Sequence, residues 1–111
     1  MLRKVDFETA YRRGQRFGDA CFSLVVRPND LGTARLGLAI AAKTIGNAVA
    51  RNRLRRIIRE SFRQTRERLP AADIIVGARA AARGAPAERI RRSLEGLWQK
   101  VATSCASSSA P

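Results

Sequence analysis

The sequence predicts an α+β sandwich, and three observations carry that reading. Two long segments repeat apolar residues at helical spacing, one from Asn47 to about Leu69 and one from Pro86 to Val101. Three short runs are strand-like: Cys21 to Arg27, Ala34 to Ala41 and Asp73 to Ala78. Helical and strand segments interleave, so the order is α-β-β-α-β-α once a short N-terminal helix is counted, a compact split-βαβ arrangement.

The elements follow from local chemistry. Asp6 is a good N-cap; Phe7, Ala10 and Tyr11 follow at helical spacing, and Gly14 is placed to stop the helix. Pro28 ends the first strand, and the turn-rich "PNDLGT" leads into the second, so these two read as a hairpin. "ADIIVGAR" is nearly all apolar, which suits a central strand. Pro86 fits the first turn of the last helix, whose stripe is Ile90, Leu94, Leu97, Trp98 and Val101. The chain is long enough for one domain, assigned to residues 1–101. The Ser/Ala-rich tail, 102–111, is expected to be disordered.

The middle helix raises the functional question. Asn47 is its N-cap and Pro70 ends it. Val49, Leu54, Ile57, Ile58 and Phe62 read as buried. At ~100° per residue, Ala50, Leu54, Ile57, Ile58, Ser61, Phe62 and Leu69 share one side. Asn52, Arg55, Arg56, Arg59, Arg63 and Arg66 share the other; Arg53 flanks that arc and Arg51 lies near its border with the stripe. Between Arg51 and Arg68, eight arginines face only Glu60 and Glu67, too few for i,i+4 pairing to balance them.

The whole chain is basic, with 22 Lys and Arg against 9 Asp and Glu, a net charge of +13 and a pI near 11.7. Nearly all the basic residues are arginine, whose planar fork suits phosphate and stacks on bases. A polyanion is the economical partner for that excess. Lys43, after a strand and before a glycine and an N-cap, is well placed for phosphate as well. Phe7, Tyr11, Phe17 and Phe22 either pack the core or line a groove in which unpaired bases stack.

Several classes are disfavoured. There is no histidine, and the carboxylates are scattered without a metal-binding pair, so no catalytic residue is assigned to this chain. Cys21 and Cys105 have no zinc-site spacing, and no metal ligand is assigned. No secretory signal or run of roughly 18 to 20 apolar residues is present, so a cytoplasmic protein with no membrane contact is expected. On the residues alone, a general RNA-binding protein of the ribosomal kind and a metal-dependent nuclease acting alone both stay open.

Lys43, "GNAV" at Gly46 to Val49, "RNR" at Arg51 to Arg53 and "LRRIIRESFR" after it strongly resemble the bacterial ribonuclease P protein family. A weaker framework extends through "DFETAYRRG" and "DIIVGAR". The resemblance implies an αβββαβα sandwich: a four-stranded sheet with helices and a left-handed βαβ crossover, the second-domain fold of a small-subunit ribosomal protein. It adds one short strand to the three read above. It implies an endoribonuclease holoenzyme in which a large RNA does the chemistry with Mg2+. None of that metal is bound tightly by the protein, and no protein partner is required. The subunit binds ribonuclease P RNA and the 5′ leader of precursor tRNA, assisting leader removal. On this resemblance Lys43, Arg51, Asn52, Arg53, Arg55, Arg56, Arg59 and Arg63 bind RNA, while Phe7, Tyr11, Arg12, Phe17 and Phe22 fall in the leader-binding cleft. Relatives often carry two consecutive lysines where this chain has Ala42-Lys43.

Overall fold

A computed structural model describes residues 14–109, with side chains up to position 104. The expected helix around Phe7 and Tyr11 lies outside the described residues, as does Arg12. The elements are β1 (Gln15–Gly18), β2 (Phe22–Pro28), β3 (Arg35–Ala39), a one-turn α1 (Ala42–Ile45), α2 (Ala48–Thr65), β4 (Ala72–Ala78) and α3 (Ala87–Ser109). Short 3-10 turns at Arg66–Arg68 and Ala80–Ala82 precede and follow β4. The fold is the expected α+β sandwich, and β1 is the fourth strand that the residue pattern alone did not reveal.

The strands run β1-β2-β4-β3, antiparallel except for the parallel pair β3 and β4. This corrects the expected hairpin, because β2 and β3 do not pair; β4 sits between them. The loop joining them crosses the end of β4 and is tied down there. Asn29 Nδ2 donates to Asp73 Oδ1 at 2.9 Å and to the Thr33 carbonyl at 3.2 Å, while Leu31 N donates back to Asn29 Oδ1 at 3.0 Å. Turn-forming residues therefore serve a wide crossing as readily as a tight hairpin.

Strand pairing sorts the side chains. Leu24 and Val26 align with Val76 and Ile74, which align with Leu38 and Leu36, and all six pack toward the helices. Beneath α2 and α3 lies one core containing Phe22, Leu54, Ile58, Phe62, Ile90, Leu94, Leu97 and Trp98. Trp98 donates its indole N–H to Ser61 Oγ at 2.8 Å and meets the Phe62 ring edge-on at 5.9 Å. An otherwise costly buried donor is thereby satisfied.

α2 begins where the cap was expected: Asn47 Oδ1 accepts from Ala50 N at 3.0 Å. The break before it needs Gly46, whose φ of 113° disfavours an L side chain. The helix gives way to the 3-10 turn at Arg66, earlier than the expected Leu69. α3 continues past Val101 to Ser109. Gln15 Nε2 donates to Ser104 Oγ at 3.0 Å, a tie between the extended helix and β1 that composition could not disclose.

Candidate nucleic-acid interface

The buried stripe of α2 fixes where its arginines go. Leu54, Ile57, Ile58 and Phe62 are buried, which turns Asn52, Arg56, Arg59 and Arg63 outward. With Glu60 they line a shallow concavity of about 420 Å³ on the protein surface. Among the described residues, Arg56, Arg59 and Arg63 take part in no hydrogen bond or ion pair, so their forks are available to an outside anion. Arg55 is half-buried and donates through Nη1 to Asn52 Oδ1 at 3.0 Å. That bond engages the Asn52 acceptor and leaves its Nδ2 donors to face the surface.

The remaining predicted RNA-binding residues divide. Lys43 is exposed on α1. Arg53 is exposed but tethered, Nη2 donating to the Ala85 carbonyl at 3.1 Å just before α3. Arg51 is half-buried at the edge of the stripe, and its Nε is enclosed with no hydrogen-bond partner. Val49 corrects an expectation: it is 78% exposed rather than buried. It lies one turn from Asn52 and Arg53 and two from Arg56, on the arginine side of the helix.

The aromatic assignments change more. Phe22 is fully buried in the core, and Phe17, aligned with Leu24, packs against the same core from β1. Both therefore point toward the helices, and the fully buried Phe22 follows the core-packing alternative, while Phe17 is only partly buried. The opposite face of the sheet carries Arg16, Ser23, Val25, Arg27, Arg35, Gly37, Asp73, Ile75 and Gly77, by pairing register. Val25 and Ile75 are buried there although they do not belong to the helix-side core. Along β2 the inward residues Phe22, Leu24 and Val26 alternate with Ser23, Val25 and Arg27, so the strand does carry a core-facing period.

On that opposite face Asp73 is 2% exposed and holds Arg35 in a two-point pair, Nε to Oδ1 at 2.8 Å and Nη2 to Oδ2 at 2.9 Å. Burial pushes the Asp73 pKa up, but hydrogen bonds from Arg35 and Asn29 and the Arg35 and Arg27 charges outweigh it, leaving the value below the ordinary 3.8. Asp19 has a different task. Its carboxylate accepts from Cys21 N and Phe22 N at 2.9 Å each, and from the Ser93 hydroxyl, tying the β1–β2 turn to α3. Burial again opposes, and these bonds with the Lys100 charge lower its pKa. Among the described residues no group of three or more His, Cys, Asp or Glu is placed to hold a metal ion. Nor is any described helix long and apolar enough to cross a membrane.

The family profile for Ribonuclease P matches residues 1–102. The chain belongs to the ribonuclease P protein family. It is 42% identical over 106 residues to the ribonuclease P protein component of Thioalkalivibrio sulfidiphilus, spanning 96% of this chain and 88% of that one. Against the same component of Legionella pneumophila the identity is 41% over 105 residues, with 95% and 90% covered. The fold is similar to that of the Staphylococcus aureus RNase P protein, with a TM-score of 0.84, 34% identity and 92% and 93% of the two chains covered. The Thermotoga maritima RNase P protein, solved with 1-(4-fluorophenyl)-2-thiourea, also gives 0.84, at 29% identity and 91% and 99% coverage. As a ribonuclease P protein component, the chain is a subunit of the holoenzyme that processes the 5′ end of tRNA.

Proposed function

We propose that this subunit binds the catalytic ribonuclease P RNA through the outward side of α2 and touches the 5′ leader of precursor tRNA with the outer face of its sheet. The observation that carries the first part is the row of Arg56, Arg59 and Arg63, exposed and without protein partners among the described residues, directly opposite the buried stripe. Asn52 supplies amide donors beside them, and Lys43 adds charge nearby in the chain. Arg51, Arg53 and Arg55 act largely by shaping this surface, since each is partly buried or tethered.

For the leader, the supporting features are the cationic Arg16 and Arg27 and the small, partly exposed Ser23 and Gly77 on the outer sheet face, where a strand of RNA can approach the backbone. The chemistry and its Mg2+ belong to the RNA in this proposal, and the setting is the cytoplasm. The protein's residues bind, orient and neutralise phosphates.

The test is precursor-tRNA cleavage at low magnesium, comparing cognate ribonuclease P RNA alone, protein alone and both together. Efficient formation of mature 5′ ends only in the combined reaction is the expected result. Cleavage by protein alone, or no stimulation by folded protein, overturns the proposal.

A further inference from the structure

The arginine side of α2 has an apolar residue within it. Val49 is 78% exposed, at the start of the same helical row as Asn52, Arg53 and Arg56. Single exposed hydrophobic residues are ordinary, and Leu31, 55% exposed in the β2–β3 loop, is one of them. Val49 differs in its surroundings and in its cost. A β-branched residue is a poorer helix former than alanine, and an exposed one recovers nothing by burial in the folded protein. Local choices that oppose the stability of their own element concentrate at functional positions.

The neighbours limit what can cover it. Asn52 and Arg56 follow it at one and two turns along the same side of the helix, and Arg53, also one turn on, is held by the Ala85 carbonyl. A second copy of this basic helix would bring like charges together, whereas a nucleic-acid strand brings phosphates to the arginines and the apolar side of a ribose or base between them. Building on the RNA-binding reading of α2, we propose that Val49 is the apolar anchor of this interface: a ribose or unpaired base of ribonuclease P RNA packs on its methyl groups while Asn52 and Arg56 hold the adjoining backbone. The contact is non-ionic, so it adds affinity that salt does not screen.

That property sets the experiment. Binding of the full-length protein to cognate ribonuclease P RNA is measured across a salt series for wild type, Val49→Ala, Val49→Thr and Arg56→Ala, with thermal unfolding of each. Val49→Ala is expected to weaken binding about five- to fifteenfold at every salt concentration, from the lost burial of two methyl groups, with an unchanged slope against log salt. Its unfolding temperature is expected to stay level or rise, since alanine favours the helix. Val49→Thr, nearly the same shape but polar, is expected to lose affinity too. Arg56→Ala is expected to lower the slope by about one. Wild-type affinity in both Val49 variants, with Arg56→Ala impaired, overturns the anchor and leaves the arginine reading standing. Unimpaired binding in all three overturns both. A changed sedimentation coefficient of the free Val49→Ala protein, with RNA binding intact, assigns the residue to a protein contact and overturns the anchor.

Discussion

Arg53 Nη2 donates to the carbonyl of Ala85 at 3.1 Å, joining the first turns of α2 to the chain just before α3. The same two helices meet again further along, where Trp98 reaches Ser61 and Phe62. The helices therefore lie side by side and run in the same sense, and one of the three motif residues at Arg51 to Arg53 belongs to the scaffold that aims the other arginines.

Arg53 and Arg56 are accordingly predicted to behave differently. Arg53→Ala should lower the unfolding free energy by about 1 kcal/mol, the net worth of a partly exposed hydrogen bond, as well as weaken RNA binding. Arg56→Ala should weaken binding alone. Urea titration of both variants is the check, and equal stabilities would show that the Arg53 tether contributes nothing.

Binding to ribonuclease P RNA should be strongly salt-dependent. If about six to ten phosphates are engaged, raising salt from about 50 to 200 mM should reduce affinity by on the order of 10³ to 10⁵. Filter binding over that range measures it, and an affinity indifferent to salt would rule out the arginine face as the principal contact.

Phe22→Ala should be a folding defect and not a leader-selection defect. Phe22 is fully buried among the helices and sheet, so truncation should cost about 3 to 5 kcal/mol. The sequence alone allowed the alternative that this variant weakens selection of leader-bearing tRNA. A normally stable Phe22→Ala protein with poor leader discrimination would restore that alternative.

The Asp73–Arg35 pair should appear in the acid limb of stability. Asp73 has a folded-state pKa below 3.8, so its unfolded form binds a proton first as pH falls. Its contribution is therefore complete above the ordinary value and lost as pH drops through the lowered one. Asp73→Asn should reduce stability by about 2 to 3 kcal/mol near neutrality, less than for a fully buried pair because Arg35 is 26% exposed and can rehydrate. The difference from wild type should shrink in strong acid; a difference independent of pH would assign the effect to packing.

Trp98 gives a further check on the seam between the helices. Ser61→Ala removes the acceptor of a buried indole N–H and should cost about 1 to 3 kcal/mol, visible by thermal unfolding. An unaltered melting temperature would mean that the indole has another acceptor.

Local spacing in the sequence determined a great deal. The interleaved strand and helix runs determined the class of fold, the Asn47 cap and the stripe from Leu54 to Phe62 determined how α2 sits, and that seating left Arg56, Arg59 and Arg63 facing outward. Each depends on residues within a few turns of one another, and helical periodicity expresses that directly. Tertiary structure decided the rest. It placed β4 between β2 and β3, because pairing depends on a loop crossing held by Asn29 and Asp73, 44 positions apart in the chain. It seated Phe22 in the core, where its residue type alone also allowed a groove, and it left Val49 uncovered because no packed element reaches that side of the first helical turn among the described residues. Burial is a property of what arrives from elsewhere in the chain, and periodicity within one element cannot state what will arrive.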